Sequence, residues 1–176
     1  MARSPFPAIL VCGMAALAGC ARTPIVSYNM AIPPPAPHEI REAIGGRDVP
    51  VVVRGSPFPG VSSRQLAIII VGEMPSLYEA RTIPVDTLTE TGIVWDFGVS
   101  RTANLPVATV PQDIRADLQL VQPGQRPISE VQGHISDVQA PTDPAFASFI
   151  HQMTLGLLMP NPETYDEWWH PRMFPF

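Results

Sequence analysis

The chain has 176 residues, a formal net charge of −5 and 22 prolines. All 11 of its basic residues are arginine, which excludes a Schiff-base lysine and the lysine that a P-loop requires. The charges are scattered and form no basic stripe, which argues against nucleic acid as a partner.

The first 19 residues have the parts of a secretory signal. Arg3 gives a charged start, and residues 8–17 are almost wholly apolar. The run from Ala8 to Gly19 is 12 residues long, whereas a helix needs about 20 apolar residues to cross a bilayer. Three interpretations follow: a lipoprotein signal, an ordinary cleaved signal, or an uncleaved helix at the membrane interface.

The residues Leu17-Ala18-Gly19-Cys20 resemble the lipobox of bacterial lipoproteins. The resemblance implies cleavage before Cys20 and acyl chains on its sulfur and amino group, which would anchor the mature chain in a membrane. Ala21 is not the aspartate that retains such proteins at the inner membrane, so the implied location is the outer membrane, facing the periplasm. Because Cys12 lies in the signal, no thiol is left for a disulfide, a zinc cluster or a nucleophile.

Residues 20–37 are expected to be the lipidated N-terminus and a proline-rich tether. The run Ile32–Pro37 predicts a semi-rigid polyproline II spacer. An edge strand over Ile25–Met30 is the alternative, and it would shorten the tether. A single domain is expected over residues 38–160, followed by an aromatic-rich tail at 161–176.

The domain is expected to be a small two-layer α+β fold of about four mostly antiparallel strands and two helices. The Ser62 and Gln65 pair has the spacing of a helix capping box, and Asp143 with Pro144 is typical of a second helix start. In chain order, the apolar pattern predicts a helical turn at 38–44, a strand at 49–54, a helix at 63–74, a strand at 93–99, a hairpin of 118–122 with 128–138, and a helix closed by Pro160.

Residues 46–58 resemble a pattern of small uncharacterised proteobacterial lipoproteins, and the resemblance implies no known activity. A functional interpretation puts a small anionic or cell-wall ligand near Arg54 and Ser56. These residues lie between a strand end and a helix N-terminus, where anions are favoured. The alternative is a tight connection that needs its glycine and proline residues for geometry.

No catalytic set, metal site or cofactor is predicted, and the chain is not expected to be an enzyme. Asp96 is expected on the wetter face of its strand, and helix capping accounts for Ser62. The four histidines are far apart and lack the spacing of metal ligands: His38, His134, His151 and His170.

Four aromatic residues crowd the tail: Trp168, Trp169, Phe174 and Phe176. Exposed aromatic residues are typical of partner-binding surfaces; the alternative is a tail packed back over the sheet or the last helix. The sequence therefore predicts a lipid-anchored envelope protein with a structural or accessory role. Its expected partners are the membrane, through the acyl chains on Cys20, and an envelope protein. The alternative is a periplasmic binding module for a small anionic or cell-wall ligand.

Overall fold

The structure, a computed structural model, describes residues 26–98 and 112–159. Within these ranges the chain forms six strands and three helices. In order they are β1 (Val26–Ile32), α1 (Pro37–Ile44), β2 (Asp48–Arg54), α2 (Ser63–Glu73), β3 (Arg81–Pro84), β4 (Gly92–Gly98), β5 (Gln112–Val121), β6 (Ser129–Val138) and α3 (Pro144–Leu158).

The six strands form one mixed sheet in the order β1-β6-β5-β4-β2-β3. Strand β6 pairs antiparallel with both β1 and β5, and β5 pairs antiparallel with β4. Strand β2 is parallel to both of its neighbours, β3 and β4. The parallel part of the sheet therefore consists of β3, β2 and β4, and the β5-β6 hairpin belongs to the antiparallel part.

The expected arrangement of about four mostly antiparallel strands and two helices is wrong, although the fold is a mixed α/β one. The described residues contain two further strands, β1 and β3, and a short additional helix, α1. Strand β3 has four residues and ends in a proline, so its sequence carries no strand periodicity. Its strand geometry comes from pairing with β2, a tertiary effect that local propensity does not report.

Strand β1 decides between the two alternatives for the segment that follows Cys20. Residues Val26–Ile32 form a strand at the sheet edge, paired with β6. Residues 26–32 of the expected tether therefore belong to the sheet, and the strand begins six positions after Cys20. The prolines that follow β1 lead directly into α1.

The predicted helix starts are confirmed at α2 and α3. At α2, the Ser62 hydroxyl accepts from the Gln65 backbone N–H at 3.3 Å, and Oε1 of Gln65 accepts from the Ser62 backbone N–H at 2.9 Å. At α3, the Asp143 carboxylate accepts from the Ala145 backbone N–H at 2.9 Å, with Pro144 in the first turn. Each cap satisfies an N–H group that has no partner inside the helix.

All three helices contribute to a core on one face of the sheet. The core contains an aromatic cluster: Phe58, Trp95, Phe97, Phe146 and Phe149. The rings of Trp95 and Phe97 stack with centroids 5.7 Å apart, and Phe58 meets Phe146 edge-on at 5.1 Å. Such pairs are worth about 0.5–1.5 kcal/mol beyond their buried area. The indole N–H of Trp95 is buried and has no hydrogen-bond partner within residues 26–98 and 112–159.

Gly133 in β6 lies directly beneath two side chains of α3, Phe149 and Met153. A Cβ atom built there would overlap Sδ of Met153 and lie 2.7 Å from Cε2 of Phe149. By contrast, a Cβ on Gly156 in α3 would meet its nearest atom, on Val131, at 3.6 Å, which is ordinary contact. The missing side chain at Gly133 therefore lets α3 pack closely on the strands.

We predict opposite effects for the same substitution at these two glycines. Gly133→Ala should lower the free energy of unfolding by about 1–3 kcal/mol, because the new methyl group over-packs the core. Gly156→Ala should raise it by up to about 1 kcal/mol through helix propensity. Urea denaturation of both variants measures the effects. Equal tolerance of the two changes would contradict the packing described for α3.

Candidate functional site

The face of the sheet opposite the helices carries mostly polar side chains. Strand side chains alternate between the two faces. In β5 the residues Ile114, Ala116, Leu118 and Leu120 are buried in the helix-side core. The intervening Asp113, Arg115 and Asp117 are exposed on the other side. We call this second side the open face.

A line of polar residues crosses the open face on five adjacent strands. Asn29 in β1 lies opposite Gln132 in β6, which lies opposite Asp117 in β5. Asp117 lies opposite Asp96 in β4, and Asp96 lies opposite Arg54 in β2. Residues directly opposite one another have Cβ atoms about 5 Å apart and interact. We call these five residues the polar row.

A shorter line runs beside the polar row. Ser27 lies opposite His134, and His134 lies opposite Arg115. The two lines border a shallow depression of about 500 Å³, lined by Ser27, Asn29, Arg115, Asp117, Gln132 and His134 among others. Hydrogen-bond donors and acceptors thus cover this part of the sheet.

The centre of the polar row holds carboxylates of like charge. Partial burial raises the pKa of the Asp117 carboxyl above its ordinary value, and the negative charges of Glu130 and Asp96 raise it further. Asp96 also meets Arg54, whose Nη1 is 4.0 Å from Oδ2 of Asp96. Both side chains of this ion pair are more than half exposed, so the pair adds little to stability.

Arg54 and Ser56, singled out from the sequence as possible anion ligands, have different surroundings. Arg54 ends β2 on the open face and forms the ion pair with Asp96. The Ser56 hydroxyl donates to the Phe58 carbonyl and accepts from the Phe58 backbone N–H, both at 3.3 Å. The hydroxyl of Ser63 donates to the Gly55 carbonyl at 3.1 Å. These bonds hold the connection between β2 and α2 in shape.

Arg54 also lines a groove of about 580 Å³ on the open face, which we call the Arg54 groove. Val52 and Val94 contribute apolar surface to it, and polar groups come from the segments 86–88 and 119–125. Ser56 is not part of its lining. The structure thus puts Arg54, without Ser56, beside a concave surface.

Sequence reasoning missed Asn29 and Arg115 as members of the open face. The signal that could have found the open face was the alternation in β5 and β6, where polar residues occupy every second position. Alternation shows that such residues share a face of one strand. It does not give the register between strands, so the polar row could not be found before the pairing was known.

Other candidate residues fall outside the polar row or outside the described ranges. Burial lowers the pKa of His151 in α3. In residues 26–98 and 112–159 no group of three or more His, Cys, Asp or Glu residues is arranged to hold a metal ion. No helix in these ranges is long and apolar enough to cross a membrane. The lipidation candidate Cys20 and the tail residues lie outside the described part of the chain: Trp168, Trp169, Phe174 and Phe176.

Comparisons with known proteins find similarity only at the level of structure. No family model matches the sequence, and no curated protein matches it. The solved structures similar to the chain include two PelC dodecamers from Paraburkholderia phytofirmans, one of them a point variant. Each is 10% identical with a TM-score of 0.49, covering 79% of this chain and 99% of the other. At these values we draw no functional conclusion from the likeness.

The raised pKa of Asp117 gives a prediction about pH and stability. The native protein holds this proton to a higher pH than the unfolded chain does, so the free energy of unfolding falls as the pH rises through that interval. Asp117→Asn should therefore raise the melting temperature at pH 7 by about 1–2 °C. The gain should disappear near pH 3, where the unfolded carboxyl is also protonated.

Thermal denaturation followed by circular dichroism measures this effect, with Asp113→Asn on the same strand as the control. Asp113 lies at the irregularity between Gln112 and Ile114, and no residue of the described ranges is paired with it across the sheet. A gain for Asp117→Asn that is equally large at pH 3 and pH 7 would show that its charge is not the cause.

Proposed function

We propose that the protein is a lipid-anchored lipoprotein of the bacterial envelope with a structural or accessory role, and that it binds an envelope protein through its open face. The resemblance of Leu17-Ala18-Gly19-Cys20 to a lipobox supports the anchor. The location that we propose is the outer membrane, facing the periplasm. The partner-binding role rests on the geometry of the sheet.

The observation that carries the partner-binding role is the polar row. It runs across five strands, which at about 4.8 Å per strand makes a surface about 20 Å wide. A shallow polar surface of this width suits the polar parts of a protein interface, where hydrogen bonds and bridging water are common. The Arg54 groove and the shallow depression lined by Arg115 lie beside the polar row. They make the surface uneven without enclosing it.

The connection to the anchor supports a location close to the membrane. Only residues 21–25 separate Cys20 from Val26, where β1 begins. An extended chain spans at most about 3.5 Å per residue, so β1 would start within about 20 Å of the lipid-bearing residue. A partner would then meet this domain near the bilayer surface.

Helix α3 ends at the opposite end of the sheet from the start of β1. Val26 lies opposite Ile135, in the second half of β6. The end of α3 lies by the start of that strand, because the Ser129 hydroxyl donates to the Leu157 carbonyl at 2.9 Å. The six residue-to-residue steps from Ser129 to Ile135 correspond to about 20 Å of strand. The segment that carries Trp168, Trp169, Phe174 and Phe176 follows the end of α3, which lies about 20 Å from the start of β1.

Substitution of two exposed glutamines tests the proposed partner surface. Gln132 lies in the polar row, and Gln152 lies on α3, where its side chain donates to Ser148. After crosslinking in intact cells and purification, Gln132→Arg should lower the yield of co-purified partner at least about tenfold, because the longer side chain hinders close approach of the partner and its charge must lose hydration in the interface. Gln152→Arg should leave the yield unchanged.

The same purified material tests the anchor independently. Mass spectrometry should show a chain that begins at Cys20 and carries acyl groups, and Cys20→Ser should leave the membrane fraction. An unmodified Cys20 would contradict the anchor. A yield of partner that is unaffected by Gln132→Arg would contradict the role of the open face.

A second candidate function is favoured by the Arg54 groove. Its volume of about 580 Å³ falls within the range of small-molecule sites, about 300–1,000 Å³. It combines an apolar wall with an arginine that suits an anionic or cell-wall ligand. In this alternative, Asp96 would compete with the ligand for Arg54, because the two side chains already form an ion pair.

That competition makes the binding candidate testable with two substitutions. Asp96→Asn should raise the affinity for an anionic probe, inorganic phosphate or a soluble peptidoglycan fragment, by up to about fivefold, since one exposed ion pair is worth up to about 1 kcal/mol. Arg54→Ala should abolish binding. Isothermal titration of both variants measures this, and a probe affinity that neither substitution changes would reject the groove.

A further inference from the structure

The two edges of the sheet differ in how well they are protected against further strand pairing. The outermost strands are β1 and β3. Strand β3 has only four residues, begins with an exposed arginine, Arg81, and ends with Pro84. Short length, charge and proline are the features by which proteins protect an exposed edge.

Strand β1 lacks these protections over its first five residues. The segment from Val26 to Met30 contains no charged residue and no proline. It pairs with β6 on one side, and no other strand of the described residues pairs with it. The irregularity in its pairing comes only afterwards, between Met30 and Ile32. Five residues of regular strand therefore offer backbone N–H and C=O groups on their outer side.

The side chains of this segment also favour contact with another strand. Tyr28 is 48% exposed and is one of two large apolar residues of the described ranges with such exposure, the other being Ile68. Its ring lies on the helix side, near Gly156. Ser27 and Asn29 point to the open face and border the depression there. An added strand would cover the Tyr28 ring and extend the line of polar residues.

We propose that the edge of β1 pairs with the β1 edge of a second copy of this chain, antiparallel and centred on Tyr28. This register puts Val26 opposite Met30 and Ser27 opposite Asn29 of the other copy, so side chains of the same face meet. The segment is uncharged, so its own copy brings no like-charge repulsion. The irregularity after Met30 ends the pairing.

The resulting dimer has a continuous sheet of twelve strands with both open faces on the same side. The two polar rows then meet through their Asn29 ends. A five-residue edge buries less surface than the roughly 1,200–2,000 Å² of a stable interface, so the dimer is weak in dilute solution. The pairing depends only on the edge of β1, whether or not the proposed lipid anchor is present.

Cysteine crosslinking of the purified protein tests the pairing and its register. The protein used begins at residue 20 and carries the substitution Cys20→Ser. That chain contains no cysteine, because the only other one is Cys12. Ser27→Cys and Asn29→Cys chains, carrying different tags, are mixed and oxidised. The mixture should give at least about fivefold more disulfide dimer than either variant alone, because directly opposite Cβ atoms approach disulfide distance and diagonal ones do not.

Two further variants make the test specific. Tyr28→Lys in both chains should reduce the disulfide dimer about tenfold, because it sets two like charges opposite each other, while circular dichroism checks that the chain stays folded. Thr82→Cys on the protected β3 edge should give no dimer. Equal dimer from the mixture and from the separate variants, or no dimer at all, would overturn the proposal. Dimer that appears only in a chain ending at Met159 would also overturn it, because the tail would then occupy the edge.

Discussion

The contact between α3 and the sheet is the constraint on which the rest of the molecule depends. The buried residues of α3 include Phe146, Phe149 and Met153, and the last two occupy the space that Gly133 leaves free. Because strand residues alternate between faces, this contact fixes which alternate side chains of β5 and β6 are buried. The side chains between them must then face outward. The polar row is a consequence of the same packing that builds the core.

The polar row carries an electrostatic cost that the fold does not require. Asp96 and Asp117 lie directly opposite each other, an arrangement of like charges that destabilises a sheet. Arg54 offsets part of the cost from one side, and the exposure of these residues to water reduces the rest. Local conflicts of this kind are expected at functional surfaces. This favours the open face over the well-packed helix side as the surface that meets a partner.

Local signals in the sequence were enough to predict much of the fold. The capping residues at Ser62 and Asp143 fixed the starts of α2 and α3 because those hydrogen bonds are made within a few residues. The β5-β6 hairpin followed from two strand patterns around the turn at Gly124. Strands β1 and β3 could not be established in this way, since each owes its conformation to a neighbour distant in sequence.

The candidate site was less accessible to sequence reasoning for the same reason. Asp96 was expected on the wetter face and is exposed there, because strand alternation is a local property. Its pairing with Asp117 and Arg54 depends on the order and register of three strands. The local bonds of Ser56 explain its residue type without a ligand. Residue type alone therefore singled out Arg54 as a possible anion ligand but did not reveal its neighbours.

The most direct test of the account is the accessibility of the open face in the native envelope. Gln132→Cys on this face and Gln152→Cys on α3 are both exposed positions, and a maleimide reagent should label them at similar rates in the purified protein. In intact envelopes a bound partner should slow the labelling of the Gln132 position at least about tenfold and leave the Gln152 position unchanged. Equal labelling of both positions in the envelope would contradict the claim that the open face is occupied.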